Sequence, residues 1–177
     1  FHLDFDAMLA RLLREDRRGV LVLVDAVPAW GRLLRARLER ALGEDARHVR
    51  WLPAMSGDEF LSLVACADVM LDTPHFNGMN STLEAFAMGT PVVTWPRMLQ
   101  RGLHGLGLLA HAGLEDCIAR DADDYVARAI AIASDGAVRA RLGAAMRDGG
   151  ARLFEDTHVV RGFERFFTEA HEAARAP

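Results

Sequence analysis

With 177 residues, 51% of them hydrophobic and 26% charged, the chain can bury one substantial core and is too short for two independent ones. Its net charge of -4, with 21 basic residues scattered rather than gathered in a run, excludes the strong positive footprint of a nucleic-acid binder. No apolar run reaches the roughly 18 residues of a membrane span, and Phe1-His2-Leu3-Asp4 lacks the plan of a signal peptide, so the reading is a cytoplasmic chain that partners neither nucleic acid nor membrane.

Taken in chain order, Phe5, Met8, Leu9, Leu12 and Leu13 recur at helical spacing and predict an amphipathic helix, followed by a buried strand over Val20 to Val24. A doubly wound sheet normally lays down a central strand before its first helix. Here the helix comes at once and no initiating Met precedes it, so the chain is expected to be the C-terminal part of a larger protein. Trp30, Leu33, Leu34, Leu38 and Leu42 repeat the helical pattern up to Gly43, and Val49 to Leu52 form a second strand ended by Pro53. Ser56-Gly57-Asp58-Glu59 reads as a capping box opening a short helix that runs to Ala67. Cys66 and Cys117 sit in apolar patterns without metal-ligand spacing, and are expected as buried, unpaired thiols.

Residues 72–91 are the most informative stretch. They join an apolar strand, Asp68 to Asp72, to a helix beginning at Asn80 or Ser81, and that helix to a second strand, Pro91 to Trp95. Ligands of open α/β sheets bind at the carboxyl ends of strands, where a helix start points unpaired N–H groups and its positive dipole end; a diphosphate suits such a place. After Trp95 the pattern is helical only: Leu103 to Ala112, Asp123 to Ser134, Ala137 to Leu153 and His158 to Ala174, with breaks at Gly113, Gly136 and Gly149-Gly150. The fold class is therefore α/β: a Rossmann-like, doubly wound, mostly parallel sheet covered on both faces, with a helical C-terminal cap. One unit over 1–177 is expected, with an alternating core over 1–96 and a mainly helical part over 97–177.

Asp72-Thr73-Pro74, Asn77-Gly78, the hydroxyl-rich helix start, Glu84 and Gly89-Thr90-Pro91-Val92-Val93-Thr94 together resemble the C-terminal lobe of the O-GlcNAc transferase family, which includes SPINDLY and bacterial proteins carrying a TPR array. The likeness extends to Phe5-Asp6, Val20 to Leu23, Arg50 to Pro53, Gly113 to Ala119 and Leu153 to Asp156. It implies the C-terminal lobe of a GT-B, inverting glycosyltransferase that moves GlcNAc from UDP-GlcNAc to Ser or Thr of an acceptor protein. The N-terminal lobe, with the catalytic base and acceptor site, is absent from this chain, which on its own is expected to be inactive. Neither metal nor other cofactor is implied.

The resemblance distributes roles along the loop. Its phosphate-binding His-Thr-Thr triplet falls on Met79, Asn80 and Ser81, so the diphosphate is placed on Asn77, Gly78, Met79, Asn80, Ser81 and Thr82, with Asn80 taking over where Met79 lacks a donor. Asn80, Ser81 and Thr82 are equally good helix caps. Glu84 falls on the ribose-binding acid, although its spacing from Ser81 also fits a capping box. Phe60 falls where animal members stack a His on uracil, with Met55 and Gly57 beside it for the base edge; a simply buried Phe fits the same spacing. His75 in the loop and Arg101, near a family Arg that aligns with Leu103, are further donor-site candidates. Other GT-B transferases, acting on a different donor, a glycan or Asn, and a non-catalytic nucleotide-binding or scaffold module share these features. A dinucleotide oxidoreductase is disfavoured because no Gly-x-Gly-x-x-Gly follows the first strand.

Overall fold

The computed structural model describes residues 1–175. Helix α1 (Asp4–Glu15) leads into strand β1 (Leu21–Asp25), then α2 (Pro28–Leu42), β2 (Val49–Pro53), α3 (Gly57–Cys66), β3 (Met70–Leu71), α4 (Asn80–Met88) and β4 (Val92–Val93). Four helices follow: α5 (His104–His111), α6 (Ala122–Ser134), α7 (Gly136–Leu153) and α8 (Thr157–Arg175).

Local signals account for most of these boundaries. The predicted stripe of α1 is buried as Phe5, Met8, Leu9, Leu12 and Leu13, and Asp4 and Asp6 in its first turn suit the helix dipole. Pro28 begins α2, where its missing N–H costs nothing, and Gly43 ends it at φ 58°. The Ser56 capping box of α3 forms in both directions: the hydroxyl accepts from the Glu59 N–H, and the Glu59 carboxylate accepts from the Ser56 N–H.

The strands are parallel, but their hydrogen bonding divides into two pairs instead of one continuous sheet. β1 pairs β2 in the register Leu21↔Val49 to Asp25↔Pro53, and β3 pairs β4 as Met70↔Val92 and Leu71↔Val93. β3 and β4 are shorter than the runs expected at 68–72 and 91–95. Flanking bonds prolong the second pair, from Met70 N–H to Pro91 O (2.8 Å) and from Asp72 N–H to Val93 O (3.0 Å). The helical C-terminal part also returns a strand-like segment, because Thr94 bridges Ile118 in parallel.

Three expectations are corrected. Trp30 and Leu33 do not join the buried face of α2; they are 72% and 74% exposed, and only Leu38 and Leu42 are deeply buried. Cys66, on the last turn of α3, is exposed, whereas Cys117 is buried as expected. Gly149 and Gly150 do not break a helix. They lie inside α7 and are buried, because α7 packs closely on α4 and on the end of α5: a Cβ at Gly149 would meet Phe86 of α4 at 3.2 Å and Ala112 Cβ, just past α5, at 2.6 Å, and one at Gly143 would meet the Gly89 carbonyl at 2.5 Å. Small residues are needed there so that the backbones can approach.

One apolar cluster runs through residues from both ends of the chain, including Phe5 and Leu13 of α1, Phe86 of α4, Val92 and Val93 of β4, and Leu142 and Met146 of α7. α8 stands apart from it with no buried residue, exposing Val159, Val160, Phe163, Phe166 and Phe167. No described helix is long and apolar enough to cross a membrane.

Candidate functional site at the loop after β3

The chain leaves β3 at Asp72, and the loop to α4 is braced from inside by that residue. Asp72 is 3% exposed. Gly78 N–H donates to its Oδ1 (2.8 Å), the Thr94 hydroxyl donates to its Oδ2 (2.6 Å), and the buried Tyr125 hydroxyl donates to its main-chain carbonyl (2.9 Å). Burial pushes the Asp72 carboxyl up to about 6 against the hydrogen bonds from Thr94 and Gly78, which favour the charged form. The Tyr125 phenol is raised well above its ordinary value, again by burial first. Gly105, at the start of α5, leaves the room these groups need: a Cβ there would stand 2.4 Å from Asp72 Oδ2 and 2.6 Å from Thr94 Oγ1.

Asn77 braces the loop a second time. Its side-chain amide donates to the Thr73 carbonyl (3.0 Å), its side-chain oxygen accepts from Gly105 N–H (3.4 Å), and its backbone N–H donates to the Arg101 carbonyl (2.7 Å). Only 2% exposed, the Asn77 side chain is committed to the loop itself and not turned toward a ligand. Thr82 is likewise fully buried, its hydroxyl donating to the Gly78 carbonyl (2.7 Å). Both side chains hold the loop together from within.

What this bracing leaves open is the start of α4. The N-cap is Met79, whose side chain makes no capping hydrogen bond. Capping therefore does not explain Asn80, Ser81 or Thr82, and the box from Ser81 to Glu84 does not form. The first-turn N–H groups have no side-chain acceptor, while Asn80 is exposed and Ser81 and Glu84 are half-buried. Gly78 keeps this turn open for Ser81, since a Cβ there would meet Ser81 Oγ at 2.2 Å. α3 packs beside α4, and the Thr90 hydroxyl, just past α4, donates to the Val64 carbonyl of α3 (2.7 Å). Met55, Gly57 and Phe60 lie at the start of α3; Phe60 is half-buried against the core, Met55 is half-buried and Gly57 is exposed.

The two outlying candidates fare differently. His75 takes φ 70° and turns to the first turn of α1, with Nε2 2.8 Å from Asp4 Oδ2 and its ring 4.0 Å from that of His2. The hydrogen bond to His75 holds the Asp4 carboxyl below its ordinary value. His2, Asp4 and His75 thus bring ligand-type atoms within 4.8 Å of one another, a grouping that their separation in sequence conceals. Arg101 contributes its carbonyl to Asn77, and its side chain is exposed.

Sequence reasoning missed Asp72, Thr94, Tyr125 and Gly105 as the scaffold of the loop. Asp72 alone carried a signal, as an acid closing an apolar strand run.

Parallel strands, crossover helices and a helix start held open at a strand's carboxyl end define a Rossmann-like α/β lobe of the kind found in GT-B glycosyltransferases. Comparison with known proteins narrows this. The chain belongs to glycosyl transferase family 41, whose family model matches residues 5–156. It is 35% identical over 95 residues to the probable UDP-N-acetylglucosamine–peptide N-acetylglucosaminyltransferase SPINDLY of Solanum lycopersicum, which covers 53% of this chain and 10% of that protein. The SPINDLY protein of Arabidopsis thaliana is 30% identical over 108 residues, covering 60% of this chain and 12% of its own length. A solved mutant O-GlcNAc transferase of Thermobaculum terrenum superposes with a TM-score of 0.85 at 24% identity, over 98% of this chain and 35% of that one. The chain thus spans about a tenth of the length of the curated relatives it matches.

Proposed function

We propose that this chain is the donor-binding lobe of an inverting glycosyltransferase that carries GlcNAc from UDP-GlcNAc to Ser or Thr of a protein. The observation that carries this reading is the uncapped start of α4 on a loop fixed by Asp72, in a chain of family 41. In the proposed complex the diphosphate lies on the N–H groups of Asn80, Ser81 and Thr82, with the Asn80 amide and Ser81 hydroxyl as side-chain donors. Glu84, one turn further on, accepts from the ribose hydroxyls. Phe60 stacks on uracil, and Met55 and Gly57 offer main-chain groups to its edge.

The chemical task of the lobe is to stabilise charge on the departing UDP. Preorganised N–H groups and the dipole of α4 aim at the oxygens where that charge grows, and they do not have to reorganise as it does. Held this way, the diphosphate needs no metal partner. Acceptor and general base belong to an N-terminal lobe of the same protein, joined in this reading to a TPR array that recruits acceptor proteins.

Calorimetric titration with UDP, with ADP and GDP as controls, tests the reading. Selective UDP binding that Glu84→Ala and Asn80→Ala both weaken supports it; a folded full-length protein that does not distinguish UDP from ADP and GDP sinks it. Equal competition by several UDP-sugars in the same assay would keep the lobe and move the donor away from GlcNAc.

A further inference from the structure

Away from the start of α4, His2 just ahead of α1, Asp4 in its first turn and His75 in the loop after β3 bring metal-ligand atoms within 4.8 Å of one another. Each oxygen of the Asp4 carboxylate faces one imidazole nitrogen: Oδ2 stands 2.8 Å from His75 Nε2, and Oδ1 stands 3.4 Å from His2 Nδ1. The second approach is not a hydrogen bond. His2 Nδ1 accepts from the Asp4 backbone N–H at 3.2 Å, so it presents a lone pair, and the carboxylate oxygen beside it has no proton to offer. Two acceptors at that distance repel unless something positive joins them. Their spacing suits a metal ion, because nitrogen and oxygen ligands about 2.0–2.1 Å from a tetrahedral zinc stand about 3.3 Å apart.

The donor set selects the kind of ion. Two imidazoles and one carboxylate suit Zn2+, Co2+ or Ni2+, whereas Mg2+ and Ca2+ prefer ligands that are all oxygen. The three side chains keep 48%, 49% and 28% of their surface exposed, so an ion can enter from solvent and hold water in its remaining positions. His75 reaches the group through a left-handed backbone, φ 70°, that residues other than glycine seldom adopt. Asp4 is held as an anion, its carboxyl lowered first by the hydrogen bond to His75. Arg97 also acts on Asp4 through its charge, but its guanidinium lies over the Trp95 ring, 4.1 Å from the centroid. That charge and the positive end of the α1 dipole oppose a cation, so an affinity short of a closed structural zinc site is expected.

We propose that His2, Asp4 and His75 form a binding site for a divalent transition-metal ion of the zinc type. The ion bonds one nitrogen of each imidazole and the Asp4 carboxylate, leaves its other positions to water, and pins the loop after β3 to the start of α1. His75 faces α1, so nothing in this depends on the donor-site reading.

Calorimetric titration with Zn2+ of the full-length protein, stripped of metal by a chelator and carrying no polyhistidine tag, tests it. Zn2+ binding is expected to weaken at least ~10-fold in each of His75→Asn and Asp4→Asn, since even a partner outside the ligand set is worth about 10–100-fold in metal affinity. His111→Ala, which removes an exposed imidazole elsewhere, is expected to change nothing. Asn tolerates the left-handed backbone at position 75 and matches the shape of Asp at position 4, so both variants should melt like the parent in the presence of chelator. Two readouts on the unaltered protein need no variant to fold. Co2+ is expected to give the visible absorption of an ion held by imidazole, and Zn2+ is expected to slow amide exchange over residues 73–79, read by mass spectrometry. Zn2+ binding that His75→Asn and Asp4→Asn both leave unchanged would overturn the proposal, as would equal binding of Mg2+ at the same site. Weakening by His111→Ala to the same degree would mean adventitious binding to surface histidines and would overturn it too.

Discussion

Asp72 holds Gly78 from across the loop: the Gly78 N–H donates to Asp72 Oδ1 at 2.8 Å, while Thr94 occupies the other carboxylate oxygen at 2.6 Å. The last residue of one strand thereby fixes both the loop that follows it and the strand beside it. Because burial raises this carboxyl from its ordinary 3.8 to about 6, the folded chain keeps a proton over an interval where the unfolded chain has lost it. The stability linked to that proton is complete below about pH 4 and is lost as pH rises through about 6, amounting to about 3 kcal/mol in full. Urea unfolding of the protein and of Asp72→Asn across this range is expected to show the first losing stability relative to the second. A difference that does not change with pH would contradict the raised carboxyl.

The approach of α7 to α4 depends on the absence of side chains. Gly143→Ala would set a methyl 2.5 Å from the Gly89 carbonyl, a backbone atom that cannot swing aside. A loss of about 1–3 kcal/mol is expected by thermal or denaturant unfolding. Gly162→Ala on α8, where a Cβ meets nothing within 4 Å, is the control and should be neutral or stabilising by up to about 1 kcal/mol. Similar losses at the two positions would mean that helix propensity, not close packing, governs both.

Phe86 sits with no exposed surface between α4 and the glycine pair of α7; a Cβ at Gly149 would come 3.2 Å from its ring. Phe86→Ala empties that space and is expected to cost about 3–5 kcal/mol in unfolding free energy. Phe86→Leu should recover most of it, since the site asks for apolar volume and offers no polar partner.

The two thiols should separate cleanly in their chemistry. Cys66 is exposed, whereas Cys117 is buried and burial pushes its thiol up to about 12. With a thiol-specific reagent at pH 8, one equivalent is expected to react in the native chain and a second only on unfolding, and peptide mapping should place the first at Cys66. Fast reaction at Cys117 in the native chain would show that the segment bridging Thr94 and Ile118 opens readily.

Periodicity and capping made much of this architecture legible in advance. The α1 stripe, the Ser56 capping box and the start of α4 are all local patterns, so the residues that fix them lie within a few positions of one another. The misread residues obey distant partners. Gly149-Gly150 looks like a helix break until Phe86 and Ala112 are brought against it. Trp30 and Leu33 continue an apolar pattern, yet among the described residues no element packs over them. At the candidate site, the loop between β3 and α4 could be located from sequence, but the hydrogen bonds that brace it could not. Asn77 and Thr82 are internal braces because Gly105, Arg101 and Gly78 lie where they do, and Asp72 takes its part through Thr94 and Tyr125, contributed by residues far along the chain.

α8 has a calorimetric consequence. Its residues are already hydrated in the folded state, Phe163, Phe166 and Phe167 being about 60% exposed. Heat capacity rises on unfolding because apolar surface newly meets water. Melting of α8 therefore absorbs helix enthalpy while adding little to the heat-capacity increment, and the increment of this chain per residue should fall below the usual range of about 12–15 cal/mol/K.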